Sequence, residues 1–221
     1  MKKVGILRFP GTNCDRDIWK SVELQSMQPE WIWYKQSFLP DNYDAYVIPG
    51  GFSYGDYLRS GALAALSPAM SCIKEAAKMG KPIFGICNGF QILCEAGLLP
   101  GALMRNEKGL FIDQWVNLKL ENSSQWSPFS VGQIFKMPMA HADGRFFISE
   151  EGYKQLVDKG QIWLTYADNP NGSVGNIAGV MNEAGNVVGM MPHPDRALFS
   201  WMGSEDGLEF FQWQDASGVN Q

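Results

Sequence analysis

Strand-like and helix-like segments alternate along the first half of this chain of 221 residues, and this alternation is the strongest constraint on its fold. The strand-like segments are 4–9, 31–34, 44–48 and 83–87, and the helix-like segments are 13–27, 60–79 and the run that begins at Gln91. Such alternation is typical of an α/β protein, because parallel strands need long, usually helical connections between them. It predicts an open, mostly parallel sheet with helices on both faces.

Later segments are shorter, and turn signals separate them. They predict strands at 116–120, around Phe146, and at 162–166, 177–181 and 187–191, followed by a last helix over 205–213. The chain contains no internal repeat and no low-complexity linker, and its hydrophobic content of 45% is sufficient for one packed core. We therefore predict a single domain over residues 1–221.

Charge and cysteine usage exclude several classes of function. The net charge is −5 and no basic block is present, so nothing predicts a nucleic-acid partner. The first apolar run is interrupted at Arg8 and Pro10, which makes it too short for a signal peptide or a membrane span. Four cysteines without a CxxC pair and only two histidines favour reduced thiols in the cytoplasm and predict no metal site.

Cys87 lies where the apolar run 83–87 meets the following helix-like run. Gly85 and Gly89 flank it, as in the Gly-x-nucleophile-x-Gly elbow of hydrolases, in which glycines allow a sharp turn from strand to helix. A lone cysteine in an apolar strand is usually a buried structural residue. The paired glycines favour a nucleophile instead.

Two further loops follow strand-like runs, and in open α/β sheets ligands bind beyond the carboxyl ends of the strands. The loop 49–56 contains Gly51, whose backbone N–H group could approach a substrate as an oxyanion-hole donor, although Gly-Gly also suits a plain tight turn. The loop 190–196 contains His193 between two prolines, with Asp195 two positions further on. Cysteine, histidine and a carboxylate together suit acyl transfer.

Alternatives to this set remain open. Asp56 and Glu95 compete with Asp195 as the carboxylate, and Asp195 and Arg196 could equally form a solvated ion pair. His141 is the rival base, which we rank below His193 because no clear strand ends immediately before it.

Several segments together carry a resemblance to a known family. They are Phe9-Pro10-Gly11-Thr12-Asn13-Cys14-Asp15, Pro49-Gly50-Gly51-Phe52-Ser53-Tyr54-Gly55-Asp56, Gly85-Ile86-Cys87-Asn88-Gly89-Phe90-Gln91 and Pro192-His193-Pro194. The chain resembles class I glutamine amidotransferases, and within them the glutaminase subunits of phosphoribosylformylglycinamidine synthase, from residue 3 to about residue 213. The resemblance implies a flavodoxin-like fold.

It also implies catalytic roles at matching positions. Cys87 is the expected nucleophile, His193 the general base and acid, and Asp195 the group that orients the imidazole, at a position where the family commonly has glutamate. The implied substrate-binding residues are Gly51 and Asn88 as backbone donors to the oxyanion, Gln91 beside the glutamine, and Arg105, Asn106 and Phe111 in a glutamine-recognition loop. At 141–144 the family tends to carry His-Gly-Glu-Gly where this chain has His-Ala-Asp-Gly.

The partners follow from what the chain lacks. No P-loop or kinase-like glycine loop is present, so an ATP-dependent step has to lie on another chain. The resemblance implies that L-glutamine is hydrolysed here without a bound cofactor. It also implies a large synthetase subunit that uses ATP and Mg²⁺ to convert formylglycinamide ribonucleotide to formylglycinamidine ribonucleotide and, in many relatives, a small bridging subunit. The alternative functions are another Cys-elbow hydrolase or DJ-1-like protein, and a non-catalytic partner-binding module.

Overall fold

A computed structural model of the chain describes residues 1–126 and 129–214. The strands are β1 (Lys3–Arg8), β2 (Gln28–Trp33), β3 (Ala45–Ile48), β4 (Ile83–Ile86), β5 (Ala102–Met104), β6 (Ile112–Leu120), β7 (Ile134–His141), β8 (Arg145–Phe147), β9 (Ile162–Tyr166), β10 (Ile177–Met181) and β11 (Val187–Met190). The helices are α1 (Asp15–Leu24), α2 (Pro68–Lys78), α3 (Asn88–Glu95) and α4 (Glu150–Asp158).

Nine of the described strands form one sheet in the order β2-β1-β3-β4-β11-β10-β9-β6-β7. The first five strands in this order pair in parallel with one another. The pairs from β11 to β10 onward are antiparallel. The prediction of an open α/β sheet is confirmed. Its parallel half contains the strands predicted to carry the site, whereas the antiparallel half was not anticipated as a continuation of the same sheet.

Strands β3 and β4, in the interior of the sheet, are buried along their whole length. Uninterrupted burial is typical of parallel strands that are covered on both faces, and it explains why their sequences are continuous apolar runs instead of alternating ones. Cys87 therefore follows a strand that is buried along its whole length.

Strand β7 was missed in the sequence because Pro138 lies in its middle. Proline cannot donate a hydrogen bond to a neighbouring strand and is confined mainly to edge strands. Strand β7 is such an edge strand, at the end of the nine-stranded sheet. It nevertheless alternates regularly, with Phe135, Met137, Met139 and His141 buried.

Three other segments differ from the predictions. The predicted helix over 60–79 begins as a helix only at Pro68, after the Ser67 side chain accepts a hydrogen bond from the Met70 N–H group. The predicted last helix over 205–213 is wrong, because only a 3-10 turn at Leu208–Phe211 forms and the N–H group of Gly207 donates to the carbonyl of Ala197 instead. Helix α4 and the small pair of β5 and β8 complete the described chain, and neither α4 nor β5 was predicted.

Two further observations concern membrane spans and disulfides in the part of the chain that the structure describes. Within 1–126 and 129–214, no helix has both the length and the apolar character needed to cross a membrane. All four cysteines are described and none forms a disulfide. The single domain over 1–221 stays a prediction.

Candidate active site

A cavity of about 440 Å³ opens beyond the carboxyl ends of several strands, at the position where α/β sheets bind ligands. Its lining residues come from the segments after β1, β3, β4 and β11, from the end of β7 and from the loop before β6. They are Asn13, Cys14, Gly51, Phe52, Asp56, Ser60, Cys87, Gln91, Arg105, Phe111, Ala140, His141, Ala142, Asp143, His193 and Arg196. The fold thus brings Cys87 and His193 to one cavity from positions far apart in sequence.

Cys87 lies in a strained turn between β4 and α3. Its φ of 51° and ψ of −106° lie outside the regions that a non-glycine residue usually adopts, and such strain is concentrated at functional sites. The turn is held because the Cys87 N–H group donates to the Met190 carbonyl at 2.8 Å and the Gln91 N–H group donates to the Cys87 carbonyl at 3.1 Å. A side chain at Gly89 would collide with the Ile48 carbonyl, so this glycine is required by close approach of the backbones.

His193 is held from two sides. Its backbone N–H group donates to the Pro138 carbonyl of β7 at 2.8 Å, and its ring atom Nδ1 lies 3.3 Å from Oδ1 of Asp195. Both side chains are almost fully buried. Aspartate therefore reaches the imidazole although it is one methylene shorter than glutamate, and Nδ1 is occupied so that Nε2 is the ring nitrogen left for chemistry.

Gly50 marks the point where the reactive groups converge. A Cβ atom at Gly50 would lie 2.7 Å from Cε1 of His193, 3.1 Å from Sγ of Cys14 and 3.4 Å from Cβ of Cys87. Any side chain here would fill the space between the thiol and the imidazole. Glycine at this position therefore allows the backbone to approach His193, Cys14 and Cys87 closely.

The electrostatics of His193 are dominated by its anionic neighbours. Burial by itself lowers the pKa of His193, but the charges of Asp195 and Cys87 and hydrogen bonds to Asp195 and Cys14 together raise this pKa well above its ordinary value. His193 consequently accepts a proton readily.

The competing carboxylates do not take the place of Asp195. Glu95 pairs with Arg59, with the shorter contact at 2.5 Å. Asp56 faces Asp143 and Ser60. Neither of them is a hydrogen-bond partner of His193 among the described residues, so Asp195 remains the candidate for orientation.

Cys14, to which the sequence assigned no chemistry, also lines this cavity. Its Sγ atom lies 4.0 Å from Nδ1 of His193 and accepts a hydrogen bond from the Arg196 guanidinium at 3.2 Å. Burial raises the pKa of the Cys14 thiol, and the hydrogen bond to His193 opposes this with a smaller lowering. One donor atom each of Cys14, His193 and Asp195 lies within 4.8 Å of the others, a set that could hold a soft divalent cation, although the positive charge of Arg196 opposes one.

The predicted oxyanion donors occupy different places. Gly51 lines the cavity with φ at +150°, where a side chain would meet the Gly11 carbonyl oxygen at 2.6 Å. Asn88 does not line the cavity. Its backbone N–H group belongs to the first turn of α3, where such groups have no acceptor within the helix. Its side chain accepts the Ser53 N–H group and donates to Gln91, which ties the loop 49–56 to α3.

The predicted glutamine-binding residues divide into two groups. Gln91, Arg105 and Phe111 line the cavity, with Phe111 about half exposed. Asn106 does not, since it is buried behind the wall. All the predicted roles in this site, catalytic and substrate-binding, stay predictions.

Asn106 instead fixes His141. Its Nδ2 atom donates to the carbonyls of Leu110 and His141, each at 2.9 Å, which identifies Oδ1 as the atom that accepts the Gly144 N–H group and lies 3.1 Å from His141 Nδ1. Because Asn106 Oδ1 can only accept, His141 Nδ1 has to carry the proton. Nε2 of His141 is therefore an acceptor.

Our reason for ranking His141 below His193 was wrong, because β7 ends at His141. A different property disfavours it as a base. Burial, reinforced by the charge of His193, lowers the pKa of His141 to about 4. An imidazole with this pKa is neutral near pH 7 and is a weak proton acceptor.

The sequence did not predict that Asp56 and Asp143 line the same cavity and interact. Burial and the negative charge of Asp143 raise the pKa of the Asp56 carboxyl to about 6, against a smaller lowering by the Ser60 hydroxyl. The single proton of the Ser60 hydroxyl is donated to Oδ2 of Asp143 at 2.9 Å. The sequence signals were the contiguous motif around Asp56 and the family's carboxylate at the position of Asp143, but only the fold shows that the two carboxylates interact.

Replacing Asp56 by asparagine is expected to stabilise the protein at pH 8 and to have little effect at pH 4. The pKa of Asp56 is about 6 in the folded protein and near 3.8 in the unfolded chain. Ionisation of Asp56 therefore lowers the free energy of unfolding, and this loss develops as the pH rises from about 3.8 to about 6. After allowance for solvent screening, we expect a gain on the order of 1 kcal/mol, or about 2–4 °C in melting temperature. Thermal melts of Asp56→Asn at both pH values measure it.

The exposed Asp168 offers a matched control, since Asp168→Asn should leave the melting temperature unchanged at both pH values. A destabilised Asp56→Asn variant at pH 8 would mean that the carboxylate has a stabilising partner.

Comparisons with known proteins agree with this fold and site. The family model described as the CobB/CobQ-like glutamine amidotransferase domain matches residues 1–215. The chain therefore belongs to this family and is a glutamine amidotransferase.

Two solved structures show where the similarity lies. PurLQS from Thermotoga maritima is 43% identical over 96% of this chain and 97% of that one, with a TM-score of 0.87. A glutamine amidotransferase from Thermotoga maritima is 18% identical over 89% of this chain and 77% of that one, with a TM-score of 0.61. The second comparison shows a shared fold, and the first shows similarity over nearly the full length.

Proposed function

We propose that this chain is the glutaminase subunit of a phosphoribosylformylglycinamidine synthase. It hydrolyses L-glutamine through a thioester on Cys87 and passes ammonia to a synthetase subunit. The observation that carries the chemistry is the convergence of the strained Cys87 turn and the buried His193–Asp195 pair on one cavity. The similarity to PurLQS over 96% of the chain supports the choice of this synthase.

The first chemical step is attack on the side-chain amide. His193 takes the thiol proton, and Cys87 Sγ attacks the carboxamide carbon of glutamine to give a tetrahedral oxyanion. Asp195 holds Nδ1, so that Nε2 is the atom that exchanges the proton. His193 then protonates the departing nitrogen, ammonia leaves, and a γ-glutamyl thioester remains on Cys87.

The second half returns the enzyme to its starting state. A water molecule that gives its proton to the same imidazole attacks the thioester, and glutamate leaves while Cys87 regains its proton. In this mechanism the backbone N–H groups of Gly51 and Asn88 are the donors that stabilise the oxyanion in both halves. One such donor contributes about 3–4 kcal/mol where it has been removed from other enzymes.

Ammonia has to reach its acceptor without mixing with bulk water, because at pH 7 free ammonia becomes mostly ammonium and loses its nucleophilic lone pair. The synthetase subunit therefore covers the cavity and supplies the ATP and Mg²⁺ for activating formylglycinamide ribonucleotide. This chain binds no cofactor of its own, and a small bridging subunit joins the two in the assembled enzyme. A cytoplasmic location, with its reduced thiols, fits the four free cysteines.

Glutaminase assays of the purified chain with and without a synthetase subunit test this function. Because the ammonia is coupled, glutamine hydrolysis should rise at least tenfold when the synthetase, ATP and formylglycinamide ribonucleotide are all present. Omitting the ribonucleotide is the control. A hydrolysis rate that does not respond to the synthetase would contradict coupling, and hydrolysis of peptides or glyoxals in place of glutamine would favour another Cys-elbow protein.

A further inference from the structure

Two buried acceptor atoms in the cavity have no partner among the described residues. They are Oδ1 of Asp56 and Nε2 of His141. A buried acceptor without a hydrogen bond costs free energy comparable to a lost bond, so native proteins retain one where a ligand or water satisfies it. His141 is 3% exposed, and both residues belong to the wall of the same cavity as Cys87.

Asp143 lines the same cavity and interacts electrostatically with both residues. Its charge acts on both Asp56 and His141, and its Oδ2 atom accepts the hydroxyl of Ser60 at 2.9 Å. The backbone carbonyl of Asp143 accepts the Gln91 side chain at 2.5 Å, which anchors this turn to α3 beside the nucleophile. The three side chains thus present acceptors, two of them anionic, along one part of the wall.

The cations nearby do not balance these charges. Arg105 reaches Asp143 at 3.4 Å but its side chain is 63% exposed. Arg196 is directed to Asp17 and Cys14. One of the two carboxylates of Asp56 and Asp143 is therefore left for a cation that enters the cavity.

We infer that Asp56, Asp143 and His141 form the subsite that binds the α-ammonium group of the substrate glutamine, with Asp56 as the residue that decides selectivity for it. This inference rests on the proposed function. An ammonium group brings three N–H donors and one positive charge, which match two carboxylates and a neutral imidazole acceptor. Arg105 is then left to face the α-carboxylate.

Two properties of Asp56 support this role over a purely structural one. A structural carboxylate usually has cationic or N–H partners, whereas Asp56 faces a second carboxylate. Burial and this second charge raise the pKa of Asp56 to about 6, so its ionised form destabilises the folded protein. The loop also holds Tyr54, Asp56 and Leu58 at positive φ, which is unusual for three non-glycine residues so close together. The fold therefore maintains Asp56 in the cavity at a cost in stability.

Glutaramate tests the subsite, because it has the carboxamide and the carboxylate of glutamine but a hydrogen atom in place of the α-ammonium group. The acid product of each substrate, glutamate from glutamine or glutarate from glutaramate, is measured with the chain assembled with its synthetase, ATP and ribonucleotide. The wild-type protein should prefer glutamine by about 100-fold in kcat/KM. Asp56→Asn should lose most of this preference, mainly through a higher KM for glutamine, while its kcat/KM for glutaramate stays within about twofold.

Two further variants complete the test. Asp56→Glu keeps the charge and should retain most of the preference, whereas Asp168→Asn removes a surface carboxylate and should leave both substrates unaffected. Equal losses on both substrates, or no loss on glutamine, in a folded Asp56→Asn variant would overturn the inference. A wild-type protein that hydrolyses both substrates equally would also overturn it while leaving the proposed function intact. Wild-type protein that hydrolyses neither substrate would overturn both.

Discussion

The Cys87→Ala variant is expected to lose glutamine-dependent synthesis of formylglycinamidine ribonucleotide by about 10⁴-fold or more, and to retain ammonia-dependent synthesis in the assembled enzyme. The reason is that the thiol forms the covalent intermediate, whereas the synthetase chemistry needs only ammonia. Alanine can also adopt the turn at the start of α3 with less bulk than cysteine. Rates with glutamine and with ammonium chloride at pH 8 measure the two activities separately.

A matched control is available in Cys72, a partly buried thiol that accepts the Phe38 N–H group and is not among the lining residues of the cavity. The Cys72→Ala variant should keep both activities. Acid quenching of the wild-type enzyme during turnover of radiolabelled glutamine should leave the label on Cys87. Glutamine-dependent synthesis that survives in Cys87→Ala would remove the basis of the proposed mechanism.

His193→Ala is expected to lower glutaminase kcat/KM by about 10³-fold or more, and Asp195→Ala by about 10- to 100-fold. In the proposed mechanism His193 transfers protons in every step, whereas Asp195 acts through it. The smaller loss also follows from geometry, because the hydrogen bond from the His193 N–H group to Pro138 still positions the loop when the carboxylate is gone. Steady-state kinetics of both variants in the assembled enzyme provide the comparison.

The pH profile separates orientation from a merely structural role. Because Asp195 raises the pKa of His193, its removal should move the limb of the pH–rate profile that reports His193 to lower pH. Asp195→Asn should show the same shift with a smaller change in packing. Equal and complete losses in Asp195→Ala and His193→Ala would mean that Asp195 does more than orient the imidazole.

The assigned site links stability to selectivity through Asp56. The same carboxylate is expected to lower stability above pH 6 and to bind the substrate's ammonium group, so Asp56→Asn should be more stable at pH 8 and less selective for glutamine. These effects have separate measurements, thermal melting and glutaramate kinetics. Their occurrence in one variant would show that the cavity holds an unpaired charge for its substrate.

Local sequence was sufficient to predict the parts of the site in which interacting residues are close together in the chain. The strand–turn–helix around Cys87 was predictable because Gly89 and the buried run of β4 express a local steric need. The Asp195 carboxylate was predictable for a similar reason, since it lies two residues from the histidine it contacts. The strand β7 was missed because its proline is compatible only with an edge position, which depends on the other strands.

The sequence by itself determined the α/β class, the sharp turn at Cys87 and the membership of the glutamine amidotransferases, because each depends on short stretches whose residues act on their own neighbours. The tertiary structure alone decided which distant groups meet. It made Asn106 the residue that fixes the tautomer of His141, brought Cys14 to the imidazole, and set Asp56 against Asp143. Burial and charge act through space, so these roles arise only when residues far apart in the chain come within a few ångströms of one another.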